Sequence, residues 1–165
     1  RELADTDPLT GVGNRRVFER RIQDELDRAR RYDQVVTIAL IDVDDFKRIN
    51  DTHGHQAGDR VLRELAALLK RELRTMDFIS RIGGEEFVIV LPETGGTGAR
   101  LFADRVLRRV AQHQFGDPGS LIVVTASAGL ATFPDDRATD HESLLKLADE
   151  NLYRAKHAGR NRYRD

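Results

Sequence analysis

Four carboxylates and two glycines are the residues of this chain best suited to do chemistry. Asp42 and Asp44 close the apolar run Val35–Ile41, two residues apart and therefore on one side of an extended backbone. Gly83-Gly84-Glu85-Glu86 stands between two apolar stretches and reads as the tip of a β-hairpin. If that hairpin lies beside the first run, the acids converge. Carboxylates clustered at strand ends hold magnesium, which takes a few hard oxygens together with the phosphates of a substrate. Two such ions activate an attacking hydroxyl and stabilise a leaving pyrophosphate. Taken singly, acids at strand ends are ordinarily solvated loop residues. The paired glycines weigh against that, because they let the backbone approach a ligand closely.

The elements that must position these groups follow from periodicity. Val17, Phe18, Ile22, Leu26 and Ala29 recur at helical spacing, so the pattern predicts an amphipathic helix over 15–31 after the loop Asp7-Pro8-Leu9-Thr10-Gly11. Val35–Ile41 is β-branched and apolar throughout, which predicts a buried central strand. A short helix is expected over 46–51, a loop at His53-Gly54-His55, and a longer helix over 57–73. Strands 78–82 and 87–91 bracket the Gly-Gly tip, and Pro92 to Gly98 is a loop. A third amphipathic helix is expected over 99–113 and a single strand over 121–130. A final helix spans 141–157 with Gly159 at its end, and a last short strand falls near 161–163. This order predicts one domain of α/β or α+β sandwich type, with a mixed sheet covered by helices.

Composition narrows the function. The chain has 165 residues, enough for one sizeable core. It carries 27 basic against 28 acidic residues, and bulk electrostatic binding of nucleic acid would show a basic excess. It has no cysteine, which excludes disulfides, thiolate metal sites and a cysteine nucleophile. No run reaches membrane-spanning length and no signal peptide opens the chain. The expectation is a cytoplasmic domain that touches neither nucleic acid nor membrane.

Gly83-Gly84-Glu85-Glu86-Phe87 resembles the motif of the GGDEF family, with Glu in place of the Asp. Four further stretches share the resemblance, in the family's order and spacing over nearly the whole chain. They are Asp7–Arg16, Ile41–Asp51, Gly54–Asp59 and Ala155–Asn161. The resemblance implies a fold like the nucleotidyl-cyclase and polymerase palm, a mostly antiparallel five-stranded sheet ringed by helices. It implies a diguanylate cyclase that joins two GTP into cyclic di-GMP, with two magnesium ions per site and manganese as a substitute.

By the same resemblance, Asp42, the Val43 carbonyl, Glu85 and Glu86 bind metal. Glu85 is the usual acceptor of the ribose 3′-hydroxyl proton, with metal activation of that hydroxyl as the other route. Asn50 and Asp59 read the guanine edge, to which their donors and acceptors are suited; Asn50 fits a helix C-cap as well. Leu9, His55 and Leu62 line the base pocket, and Leu62 fits a helix core equally. Phe46, Gly83 and Gly84 complete the substrate contacts. Lys47, Lys156 and Arg160 contact phosphate, and Lys47 also meets charge developing in the transition state. Lys156 and Arg160, four apart, would share a helix face, where dipole complementarity is the alternative role. Arg74 and Asp77 match an inhibitory R-x-x-D site for the product, with Arg105 as a secondary contact.

Two departures stand out: Asp45, where many members have an aromatic, and Gly13, where a bulkier residue is usual. The implied partners are GTP, cyclic di-GMP and a second copy of the chain, since each 3′-hydroxyl must attack the other subunit's nucleotide. Residues 1–6 read as the end of a linker helix from an upstream sensor. A silent GTP- or cyclic di-GMP-binding relative and a polymerase or nuclease are the competing classes. Retention of both Glu85 and Glu86 disfavours the first, and the neutral charge disfavours the second.

Overall fold

The computed structural model describes residues 4–165. Helix α1 (Arg15–Tyr32) buries Val17, Phe18, Ile22, Leu26 and Ala29, the residues its periodicity selects. Asn14 caps its start through the Val17 amide, and Asp33 ends it in a left-handed conformation (φ 52°). Strand β1 (Val36–Val43) is buried along its whole length. Helices α2 (Phe46–His53) and α3 (His55–Arg71) follow, separated by Gly54 alone, whose φ of 90° makes the break. Strands β2 (Phe78–Arg81) and β3 (Glu86–Pro92) form the expected hairpin, and α4 runs Gly96–Gln112.

The expectation of one strand over 121–130 is corrected here. A small hairpin, β4 (Phe115–Asp117) with β5 (Ser120–Ile122), precedes a separate strand β6 (Ala126–Phe133). The residues between them, Val123 to Thr125, continue the β-type composition but belong to no strand; Val123 stands exposed, and only Thr125 reaches the end of β1, its carbonyl accepting from the Asp44 amide at 2.9 Å. Helix α5 (His141–His157) opens with a capping box between Asp140 and Ser143. Strand β7 (Tyr163–Arg164) closes the chain.

The main sheet has the order β2-β3-β1-β6-β7, antiparallel except for the β6–β7 pair. Its two faces carry separate cores, as strand alternation requires. Ala39, Ile41 and Val43 of β1 pack with α3 and α4; Val36, Ile38 and Leu40 pack with α1 and α5. Asp42 has the parity of the second set. It emerges at the end of the α1–α5 face.

The N-terminal segment lies against the outer edge of β2. Gly13 donates to the Ile79 carbonyl and its own carbonyl accepts from the Arg81 amide. A Cβ at Gly13 would stand 2.6 Å from the buried Ser80 Oγ, so the unusual glycine is matched to this contact. Residues 4–6 are not helical, Thr6 bridging Gly13, and the rest of the expected linker helix lies outside the described residues.

Candidate active site

The antiparallel register sets Asp42 directly opposite Glu86. The Val43 amide donates to the Glu85 carbonyl at 3.3 Å, so pairing continues to the hairpin tip. On the other side of β1, Asp42 is level with Ser127 of β6. Lys156 reaches over from α5, its Nζ 2.6 Å from Oδ1 of Asp42. Burial pushes the Asp42 carboxyl up to about 6, against the pull of Lys156 and with the repulsion of Glu85 and Glu86. Glu86 is raised as well, first by burial and then by Asp149 and Glu85.

Asp42 lends itself to a direct check. Its folded value lies above its unfolded one, so between about pH 4 and 6 the unfolded state sheds the proton first and stability falls as pH rises. In chelating buffer, Asp42→Asn should therefore be more stable than wild type at pH 7.5 by about 2 kcal/mol. That difference should vanish below about pH 4. Denaturant melts across this range measure it, and a variant less stable at pH 7.5 would refute the account.

The hairpin tip is braced from behind. Arg81 donates to the Gly84 carbonyl through Nε (3.1 Å) and Nη2 (2.7 Å), and through Nη1 to both oxygens of Asp7 at 3.2 Å. Asp7 also accepts from the amide and hydroxyl of Thr10. Burial works to raise the Asp7 carboxyl, but these donors outweigh it and hold the value low. A Cβ at Gly83 would lie 2.8 Å from Oε2 of Glu86, whereas Gly84 has open space around it. The first glycine thus makes room for the acid itself, and the second leaves the tip clear for a ligand.

Asp44 shares the α5 side with Asp42 but has different company. It is buried, and its carboxylate accepts from Thr125 Oγ1 (2.7 Å), Ser127 Oγ (2.7 Å) and the Asn161 amide (2.9 Å). Its work is to tie β1, β6 and the C-terminal turn together. Among the described residues no group of three or more His, Asp or Glu is drawn together tightly enough to hold a metal ion. Glu86 is the first residue of β3, and Glu85 lies in the bend just before it. The donor set nevertheless fits a hard divalent cation: carboxylates of Asp42 and Glu86 in register, Glu85 beside them and the Val43 carbonyl at the strand end.

Asn50 lies inside α2, not at its C-cap; its carbonyl accepts from the Gly54 amide. Its Oδ1 is buried without a hydrogen-bond partner, and a Cβ on Gly58 would come within 1.8 Å of it. Phe46 Cζ is the other side-chain neighbour at that point. Ser80 Oγ and His113 Nε2 are likewise buried without a partner, so the orphaned acceptor leaves Asn50 able to take a donor without identifying one. Asp59 and His55 are exposed on the first turns of α3. Leu62 is buried in the main core and Leu9 packs against it, so Leu62 takes the core role.

The phosphate set is arranged differently from the expectation. Arg160 does not share a helix face with Lys156, because α5 ends at His157 and Arg160 sits beyond it with φ 62°. It pairs with Asp45 instead, Nε to Oδ1 3.4 Å. Lys47 is exposed on α2 and pairs with Asp51 at 3.0 Å.

Arg74 and Asp77 engage each other. The buried Asp77 carboxylate accepts from the Arg74 amide (2.8 Å), Nε (3.2 Å) and Nη2 (2.8 Å), and Nη2 also reaches Pro92 O and Thr94 Oγ1. Asp77 holds the Arg74 guanidinium above its ordinary range. Arg105 is bound to Glu72, which Arg109 shares.

Sequence reasoning missed the roles of Asp7, Arg81, Gly58 and Asp149. Asp7 and Gly58 stand inside quoted motifs, so their signal was present; Arg81 and Asp149 act through neighbours that only folding brings close.

A family model described as "Diguanylate cyclase, GGDEF domain" matches residues 4–162. Diguanylate cyclase DgcP of Pseudomonas aeruginosa is 43% identical over 98% of this chain, which covers 24% of that protein. The chain spans between about a seventh and just over a third of the length of the curated relatives it matches (14% and 36%). Among solved structures, the GGDEF domain of DgcB from Caulobacter crescentus in complex with c-di-GMP superposes with a TM-score of 0.90 at 30% identity, over 98% of this chain and 95% of that one. The active GGEEF domain of a diguanylate cyclase from Vibrio cholerae gives 0.83 at 35% identity, over 92% and 97%. No helix among the described residues is long and apolar enough to cross a membrane.

Proposed function

This chain belongs to the GGDEF diguanylate cyclase family, and from that premise we propose that it condenses two GTP molecules into cyclic di-GMP with release of two pyrophosphates. The observation that carries the reading is the register of Asp42 opposite Glu86 with Lys156 against Asp42. Asp42, Glu85, Glu86 and the Val43 carbonyl would hold magnesium, two ions per site, with manganese as a substitute. A cation held by these residues would supply polarisation of the 3′-hydroxyl and neutralisation of charge on the α-phosphate and the leaving pyrophosphate.

The chain's own groups do the rest. Asn50 and Asp59 take the guanine edge, Asn50 with the acceptor that lacks a partner. Lys156 and Arg160 bind phosphate, and Lys47 turns from Asp51 toward charge that builds during transfer. Glu85 accepts the hydroxyl proton. Each site supplies one nucleotide, so two copies face each other about a two-fold axis and each 3′-hydroxyl attacks across it. Product binds at Arg74, Asp77 and Arg105, where a guanidinium suits guanine O6/N7 and phosphate. The Arg74–Asp77 pair must open to admit it. The domain works in the cytoplasm under an upstream sensor.

The test is purified protein with GTP and magnesium, read by product mass. Cyclic di-GMP and pyrophosphate are expected. Tight GTP binding by a dimer that makes no product would favour a binding module. In the same assay, Arg74→Ala should raise the cyclic di-GMP concentration needed for half-inhibition by about tenfold or more; unchanged inhibition removes the R-x-x-D assignment.

A further inference from the structure

Asp44 and Asp45 are adjacent acids in opposite surroundings. Asp44 is buried and accepts three donors. Asp45 is exposed, left-handed at φ 52°, and makes no side-chain cap on α2. Its carboxylate meets Arg160 at 3.4 Å, each side chain about half exposed (56% and 49%).

The meeting is arranged by the backbone. The Arg160 amide donates to Ala155 O, the Asn161 amide to Asp44, and the Ala128 amide to Arg162 O. Arg160 and Asn161 are both left-handed, at φ 62° and 48°. A turn pinned at these points brings the Arg160 guanidinium to the mouth of the β1–α2 connection. Asp45 is the acid that stands there.

We propose that Asp45 sets the affinity for the nucleoside triphosphate by competing with it for Arg160. The proposal rests on the reading of Arg160 as a phosphate ligand and adds the control of that contact. To take a phosphate oxygen, the guanidinium must release a carboxylate, which then faces the polyanion across the same turn. Both effects oppose binding, and both favour departure of pyrophosphate. An exposed ion pair is weak, so the competition tunes the site without closing it.

Asp45→Asn removes the charge and keeps the shape, and asparagine tolerates a left-handed backbone. Titration calorimetry with magnesium and 3′-deoxy-GTP, which cannot react, should show a Kd lower by about two- to fivefold. In turnover, KM for GTP should fall by more than kcat changes. The gain should shrink in high salt, as it must for exposed charges, and should be smaller with GMP than with the triphosphate. An unchanged or higher Kd overturns the proposal.

Arg160→Ala separates the two layers of the argument. If it leaves the Kd unaltered, the phosphate assignment itself fails. If it weakens binding while Asp45→Asn does not tighten it, the competition alone fails. In the double variant the benefit of Asp45→Asn should be smaller than in the single one; an equal benefit overturns the competition.

Discussion

Glu86→Gln is expected to lower cyclic di-GMP formation by about a hundred- to a thousandfold while making the folded domain more stable. The two effects have one cause. Glu86 stands opposite Asp42 across the β1–β3 ladder, and like charges so placed repel. Burial, Asp149 and Glu85 raise its carboxyl further. A site that collects more negative charge than Lys156 and Arg15 offset is unfavourable at rest and suited to a cationic ligand. Glutamine keeps the length and still fits under Gly83, so the variant changes charge and little else. Product chromatography and thermal melts in chelating buffer give the two readouts. Turnover within tenfold of wild type would remove Glu86 from the machinery; a lower melting temperature would refute the like-charge account.

Gly129→Ala should destabilise the domain by about 3 kcal/mol or more, lowering Tm by roughly 6–12 °C. Gly129 lies on the face of β6 that supports α5. An added Cβ would stand 1.9 Å from Ala148 O and 2.4 Å from Leu152 N, both helix backbone. No side chain can turn aside to admit it. The helix is further held to the strand by Asn151 Nδ2 on Leu130 O at 2.8 Å, so displacement breaks a buried hydrogen bond. Because Lys156 rides on the same helix, its contact with Asp42 would shift and activity would fall too. Gly84→Ala is the comparison, since nothing lies within 4 Å of that Cβ. It should melt like wild type, and equal melting of Gly129→Ala would show that α5 yields easily.

Much of this was legible in the sequence, for identifiable reasons. The apolar spacing of α1 and α3, the unbroken run of β1 and the Gly-Gly tip are local signals with strong periods, and they placed the elements within a few residues. The motif acids were legible because a Gly-Gly pair stood beside them; acids at strand ends are otherwise ordinary. What was not legible depends on contacts distant in sequence. Strand β5 merged with β6 because Val123 and Val124 keep a strand-like composition where no ladder exists, and β4 was too short to be seen. Asp42 and Asp44 have the same type and parity, yet only Thr125, Ser127 and Asn161 make the second a structural tie. Arg160 was assigned to a helix face because four-residue spacing says so; two successive left-handed residues place it otherwise.

Gly13 offers a final consequence. By pairing with β2, the short N-terminal stretch occupies the outermost rim of the sheet, whose backbone donors and acceptors would otherwise face water in an unbroken row. Such rows recruit strands from other molecules. A version of the domain trimmed to begin at Asn14 would keep the helices and the acids of the candidate site, but it would lose the Asp7 contact with Arg81 and present an adhesive border. Its failure in solution would be self-association with the helices and the main sheet intact.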